Sequence, residues 1–252
     1  MINLKTDNWK IKNIETVLFD KDGTFIDLHY FWGQMTELRV KETIKLFNLE
    51  ENHFEKLCEI LGYDIHTKQM KKDGITALYS RAKIINIYTQ SLKSMNIKTT
   101  DEEMTKIFDI VSDKFYLNMH KYTKPINDAI DFIKKLHDKK IKIGIVTSDS
   151  IISTQKTIKQ FEWEHLFSSI IGRESSEYTK ESGKPTQIAL KELNANPETT
   201  IMIGDAPMDY ISAKNAGIKK TILVATGQLS KEDLLETSPY VISSLKEIEI
   251  IN

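Results

Sequence analysis

The stretch TVLFDKDGTF, residues 16–25, decides how this chain is read. An apolar run of the kind that forms a buried strand ends in two aspartates, Asp20 and Asp22, two residues apart. Carboxylates crowded at a strand end cost stability unless something neutralises or uses them. Residues two apart on an extended segment point the same way, so Asp20 and Asp22 can share one reaction centre. Lys21 is then expected to point away, into a packing or surface position. Gly23 permits a sharp turn immediately beyond the pair.

Working outward, two other apolar runs end in polar residues. Residues 141–146 finish in Thr147-Ser148-Asp149, and residues 200–203 finish in Gly204-Asp205. From residue 125 onward, strands and helices alternate. Ala129, Phe132, Ile133 and Leu136 mark a helix, Pro185 opens another, and a third stops at Ala216-Gly217. Strands are expected at 169–171, 222–224 and 240–242. Such alternation implies a parallel sheet covered on both faces. Residues from about 30 to 120 differ, because they hold no convincing strand. Met104, Ile107, Phe108, Val111 and Phe115 form the stripe of an amphipathic helix, and further helices are expected around Leu38, Cys58 and Ala82. The expected fold class is α/β: a Rossmann-like doubly wound parallel sheet core, residues 1–28 and 118–252, with an inserted α-helical cap domain at 29–117.

Composition narrows the function. The 252 residues are 40% hydrophobic and 28% charged, with a formal net charge of -1, so no whole-chain field favours nucleic acid or an anionic membrane. Cys58 is the only cysteine, which excludes an internal disulfide and a cysteine-based zinc cluster. Its place in FEKLCEIL, at helical spacing with Phe54, Leu57 and Leu61, reads as a small buried hydrophobe. The opening residues lack the layout of a signal peptide and no apolar run approaches membrane length, so the cytoplasm is the expected location.

In open parallel sheets, ligands gather beyond the carboxyl ends of the strands. If the three apolar runs are neighbours, Asp20, Asp22, Thr147 and Asp205 converge there from distant parts of the chain. Carboxylates gathered in this way need a cation, and oxygen ligands without Cys or His favour a hard one such as magnesium. Thr147 and Ser148 have a plainer alternative, capping the next helix, a task that Asp149 and Ser150 can also perform.

At this point a resemblance enters. Asp20-Lys21-Asp22-Gly23-Thr24 resembles the Asp-x-Asp-Gly-Thr first motif of the haloacid dehalogenase superfamily of phosphohydrolases. Thr147 closes the second-motif strand, and Lys184 in Gly183-Lys184-Pro185 is similar to the third motif. Gly204-Asp205-Ala206-Pro207-Met208-Asp209, with Ala213 and Ala216-Gly217, resembles the fourth. The order looks like the subgroup with a helical cap between motifs one and two, which includes phosphoglycolate phosphatases.

The resemblance implies hydrolysis of a small phosphorylated metabolite, such as a sugar phosphate or phosphoglycolate, through an aspartyl-phosphate. Asp20 is the implied nucleophile and Asp22 the implied acid and base. Mg2+ is implied at the Asp20 and Asp205 carboxylates and the Asp22 backbone carbonyl, with Asp209 in support. Lys184 is implied to hold nucleophile and phosphate, with Thr147 and Ser148 at the phosphoryl oxygens. Asp22 disfavours the dehalogenases and cation pumps of the superfamily, which lack Asp at that position. Two alternatives stay open: a phosphomutase, which also uses this acid, and a non-catalytic binding protein on the same fold. His29, Tyr30, Trp32, Arg39, Arg81 and Lys83 are the cap candidates for substrate selection. The expected partner is a small phosphorylated substrate, with no nucleic acid or membrane, for a monomer or homodimer.

Overall fold

A computed structural model describes residues 1–251. The chain opens with strands β1 (Ile2–Lys5), β2 (Lys10–Ile14) and β3 (Thr16–Phe19). A helical block follows: α1 (Leu28–Phe47), α2 (His53–Ile60), the short strands β4 (Tyr63–Asp64) and β5 (Gln69–Met70), then α3 (Ile75–Leu78), α4 (Arg81–Ser94), α5 (Asp101–Leu117) and α6 (Met119–Tyr122). Helices and strands then alternate through α7 (Asn127–Asp138), β6 (Lys142–Val146), α8 (Ile151–Gln160), β7 (Ser169–Ile171), α9 (Lys184–Glu192) and β8 (Thr200–Gly204). The last elements are α10 (Pro207–Asn215), β9 (Thr221–Val224), α11 (Lys231–Leu235), β10 (Val241–Ile242) and β11 (Glu249–Ile251). Residues Met1–Asp27 and those from Lys124 onward form one compact unit, and Leu28–Thr123 form a second.

The first unit is built on a six-stranded sheet in the order β10-β9-β8-β3-β6-β7. Every pairing in it is parallel. Strands β3, β8 and β9 are buried along their whole length, which is why they read as continuous apolar runs and not as alternating ones. The chain leaves β3 for β6 and β7 on one side, then returns to β8, β9 and β10 on the other. The sheet therefore reverses its winding around β3, the kind of switch point at which open α/β sheets bind ligands. Phe19 is in register with Ile145 and with Ile203, so the residues after each of these three strands arrive at one edge.

Two features of the sheet inventory depart from the sequence reading. A second, antiparallel sheet in the order β11-β1-β2 joins the two ends of the described chain. Its buried residues, Ile2, Leu4, Ile11 and Ile14, break clean alternation because the register shifts between Ile2 and Leu4 and Asn13 takes a positive φ of 60°. The helical block, expected to hold no strand, carries the β4–β5 hairpin, whose two-residue strands are too short to leave a periodic signal.

Within the second unit, the expected stripe of α5 is buried, and Phe115 stacks on Tyr122 and meets Phe31 edge-on, each at 4.9 Å between ring centroids. A reciprocal cap starts that helix: the Glu103 amide donates to the Thr100 hydroxyl at 3.2 Å, and the Thr100 amide donates to the Glu103 carboxylate at 2.9 Å. Cys58 is fully buried, and burial followed by the nearby Glu37 charge pushes its thiol up to about 12, so it packs as a hydrophobe. Among the described residues, no helix is long and apolar enough to cross a membrane.

Candidate active site

The site begins where β3 ends. The Asp20 amide donates to the Ile203 carbonyl at 2.9 Å, continuing the ladder one residue past the strand and fixing Asp20 beside the end of β8. On the other flank, the Thr147 amide donates to the Ile171 carbonyl at 2.9 Å, extending β6 along β7 in the same way. Asp205 follows β8 directly, and Asp209 lies in the first turn of α10, where its carboxylate accepts the Ala206 amide at 3.1 Å. Carboxylate oxygens of Asp20, Asp205 and Asp209 all lie within 4.8 Å of one another, and all three residues are buried.

Glycines make this crowding possible. At Gly23, φ is +87°, and a Cβ there would stand 2.3 Å from an Asp205 carboxylate oxygen. At Gly227 a Cβ would come within 1.7 Å of the same atom. Asp205 therefore sits in a slot between two stretches of backbone, and any side chain at either position evicts it.

Lys180 is the cation of this cluster. Its ammonium lies 2.5 Å from Asp20 and 2.6 Å from Asp209, with its side chain 4% exposed. Burial works against that charge, but the two carboxylates outweigh it and hold Lys180 above the usual lysine range. Burial dominates at Asp20 instead: Lys180 lowers it and Asp209 raises it, and the balance lifts Asp20 to about 7. Asp205 also goes up, from burial and then from the charges of Asp20 and Asp209.

The structure does not place the expected third-motif lysine against Asp20. Lys184, the residue expected to hold the nucleophile, is exposed at the start of α9. The residue that reaches Asp20 is Lys180, four positions earlier, in the short helical turn Lys180–Ser182. Gly183 explains the difference. Its left-handed backbone, φ 78°, ends that turn and redirects the chain into α9, so the lysines on either side of it diverge. The Gly-Lys-Pro signature marks the helix start, and the lysine that pairs with Asp20 and Asp209 stands just upstream. No pattern in the sequence distinguishes Lys180 from its neighbours.

Of the two places expected for Lys21, packed or at the surface, the structure shows the packed one. It is fully buried, with its ammonium 2.5 Å from Asp22 and 3.1 Å from Asp149. Burial opposes its charge, but the two carboxylates prevail and raise it above the ordinary lysine range. The Asp22 carboxylate thus pairs with Lys21, which also meets Asp149, and its charge acts on Asp20 without joining the close trio of Asp20, Asp205 and Asp209. Thr147 is buried and accepts the Asp149 amide at 3.1 Å, which leaves its own hydrogen to donate. Ser148 is exposed and donates to the Met208 sulfur at 3.4 Å. The cap of α8 is Ser150, which accepts the Ser153 amide at 3.1 Å, so capping is not the task of Thr147 or Ser148.

The donor set fits a hard divalent cation. Three buried carboxylates share one space with a single lysine, leaving an excess of two negative charges. Asp20 and Asp205 are both raised, first by burial and then by the neighbouring carboxylates, and Lys180 offsets only part of that. The donors are oxygens without sulfur or imidazole, the preference of magnesium over zinc or copper.

A parallel α/β sheet whose switch point gathers buried acids able to hold a hard cation agrees with a hydrolase of the haloacid dehalogenase type. The chain belongs to the haloacid dehalogenase-like hydrolase family, whose pattern matches residues 17–224. Among curated relatives, pyrophosphatase PpaX of Halalkalibacterium halodurans is 26% identical over 236 residues, spanning 93% of this chain and 95% of its own. A predicted phosphoglycolate phosphatase from Haemophilus somnus 129pt has a similar structure, with a TM-score of 0.70 at 15% identity, covering 93% of this chain and 96% of that one. A haloacid dehalogenase superfamily hydrolase of subfamily IA from Geobacter sulfurreducens PCA gives 0.64 at 16% identity, covering 93% and 94%. At such identities the two structures speak for the fold.

Proposed function

We propose that this protein is a magnesium-dependent phosphatase that hydrolyses a small phosphorylated metabolite through an aspartyl-phosphate on Asp20. The observation that carries this reading is the carboxylate at the end of the central strand, held by Lys180 at 2.5 Å beside two further buried acids. Asp20, Asp205 and Asp209, with the Asp22 backbone carbonyl, are the groups that would hold magnesium. The bound ion would supply positive charge that lets an anionic nucleophile meet an anionic phosphate.

The chain's own residues account for the rest. Lys180 fixes the Asp20 carboxylate and offers its charge to the phosphoryl group. A carboxylate oxygen of Asp20 attacks phosphorus as the bond from phosphorus to the leaving oxygen breaks, and that oxygen takes the proton of the Asp22 carboxyl. Water then attacks the phosphorus, passes a proton back to Asp22, and restores Asp20 as inorganic phosphate departs. The Thr147 hydroxyl donates to a phosphoryl oxygen during both steps. In this account Lys180 takes the role that the family resemblance gave to Lys184.

The relatedness to pyrophosphatase PpaX, over nearly the full length of both chains, favours a second substrate reading, a phosphoanhydride in place of an ester. The same two steps apply, with phosphate as leaving group. The test is phosphate release from purified protein with inorganic pyrophosphate, phosphoglycolate and a set of sugar phosphates, with magnesium and with chelator. Magnesium-dependent release from at least one of these is expected. Conversion of a sugar phosphate to its isomer without phosphate release would replace hydrolysis by a mutase reaction, and no turnover of any compound would contradict the phosphatase reading.

A further inference from the structure

Lys21 presents a problem that the reaction above does not use. A fully buried ammonium is costly, and an apolar residue of similar volume at such a place is often neutral or stabilising. Yet the neighbouring strand residues Leu18 and Phe19 are apolar and fully buried, while this position keeps a charge. Its partners come from two different strand ends: Asp22 beyond β3, at 2.5 Å, and Asp149 beyond β6, at 3.1 Å.

Both ends of that bridge are immobilised by backbone. The Lys21 carbonyl accepts the amides of Thr24, Phe25 and Ile26 at 3.3, 3.1 and 3.1 Å, so the turn after β3 closes on it. Asp149 is held three ways. Its carbonyl accepts the Arg173 amide at 2.8 Å, its side chain accepts the Ser150 amide at 2.7 Å, and its own amide donates to the Thr147 hydroxyl at 3.1 Å. The anchored Asp149 therefore holds the Lys21 ammonium from one side, and that ammonium holds one oxygen of the Asp22 carboxyl group from the other.

We propose that Lys21 and Asp149 are positioning residues for Asp22, a relay from the loop after β6 that holds its carboxyl group in place for proton exchange with the leaving oxygen. This rests on Asp22 as the acid and base of the proposed function. Acid catalysis demands that placement, since the carboxyl must lie within hydrogen-bond reach of the oxygen it protonates. Asp149 then serves two groups at once, the Thr147 hydroxyl through its amide and Asp22 through Lys21.

Leaving-group dependence separates this role from a merely structural one. An alkyl phosphate needs a proton on its departing oxygen, and 4-nitrophenyl phosphate, whose departing phenolate is stable, does not. Turnover of both by the full chain with magnesium is compared for Asp22→Asn, Lys21→Met, Asp149→Asn and the Lys21→Met/Asp22→Asn double variant. Asp22→Asn is expected to lose about a hundredfold more on the alkyl ester than on the nitrophenyl ester. Lys21→Met should show the same bias at about tenfold, Asp149→Asn a smaller one, and Lys21→Met should add nothing to the bias once Asp22 is Asn. Equal losses on both esters for the Lys21 and Asp149 variants, or full additivity in the double variant, would overturn the relay while leaving Asp22 its role. A flat profile for Asp22→Asn itself would overturn both. If Lys21→Met fails to fold, Asp149→Asn, nearly unchanged in shape, carries the comparison alone, and equal losses on both esters then overturn the relay.

Discussion

The two units of the chain treat buried charge in opposite ways. In the unit built on the parallel sheet, Asp20, Lys21, Lys180, Asp205 and Asp209 are all buried, and each has a carboxylate or lysine close by. In the helical unit, Arg39 is the one buried charged residue among those described, and what it meets is the face of the Phe108 ring, 4.1 Å from its guanidinium carbon. Burial, and then the charge of Arg81, lowers Arg39 to about 9. The sheet unit concentrates desolvated charge where it can act on a substrate. The helical unit avoids it, and its interior is held by aromatic and aliphatic packing. Replacing a buried charge should therefore lower activity, by about tenfold or more, in one unit and do little in the other.

The largest expected effect is that of Asp20→Asn. Turnover should fall by about 10^4-fold or more, as for loss of other covalent nucleophiles, with the circular dichroism spectrum unchanged. Next in size is the contrast between two lysines. Lys180→Met should lower kcat about 10^2- to 10^3-fold through loss of a fixed charge at the reacting centre, and Lys184→Met should stay within about twofold. The reverse order would restore the lysine of the Gly-Lys-Pro signature to the site.

Gly227→Ala should act on the metal alone. A methyl group there displaces the Asp205 carboxylate, so the magnesium concentration giving half-maximal activity should rise about tenfold. An unchanged magnesium requirement would remove Asp205 from the metal site.

Stability should also depend on pH through the same cluster. Asp20 lies at about 7 in the folded protein against an ordinary carboxylate near 4, and Asp205 is raised in the same direction. The folded metal-free protein therefore binds these protons more tightly than the unfolded chain does. The stability so gained is present at low pH and lost as pH rises from about 4 towards about 7. In chelator, the melting temperature should fall across that window, and magnesium should raise it more at about pH 7 than at about pH 5. A melting temperature that rises with pH in chelator would contradict the assignment.

The smallest effect is expected in the helical unit. Arg39→Met keeps the contact with Phe108 and removes a desolvated charge, so stability in urea should change by less than about 1 kcal/mol and turnover by less than about twofold. A large rise in KM would instead assign Arg39 to substrate selection and break the contrast between the units.

What the sequence revealed follows the same division. Asp20, Thr147 and Asp205 were legible because buried strands leave apolar runs whose polar ends stand out, whereas Asp209, inside α10, came only from the resemblance to the fourth motif. Lys180 and Lys21 were not. A lysine's reach is set by the turn that carries it, and the left-handed backbone at Gly183 cannot be read from the residue name alone. For Lys21, alternation left a packing or a surface place open and did not show the ion pairs with Asp22 and Asp149, which form where the turn closes around the Lys21 carbonyl. The antiparallel sheet formed by β1, β2 and β11 was hidden for other reasons: β1 pairs with β11 across nearly the full length of the chain, and the β1–β2 pair has a shifted register that blurs alternation.

The most direct test of the central claim is to look for the covalent intermediate. Protein mixed with a turned-over phosphate ester and magnesium, quenched in acid within the first turnover and digested, should yield a peptide containing Asp20 that carries one phosphoryl group. Asp20→Asn should yield none. An enzyme that releases phosphate at full rate with no phosphoryl group on that peptide, and whose Asp20→Asn variant still turns over, would show that water attacks the substrate directly and that Asp20 is not the nucleophile.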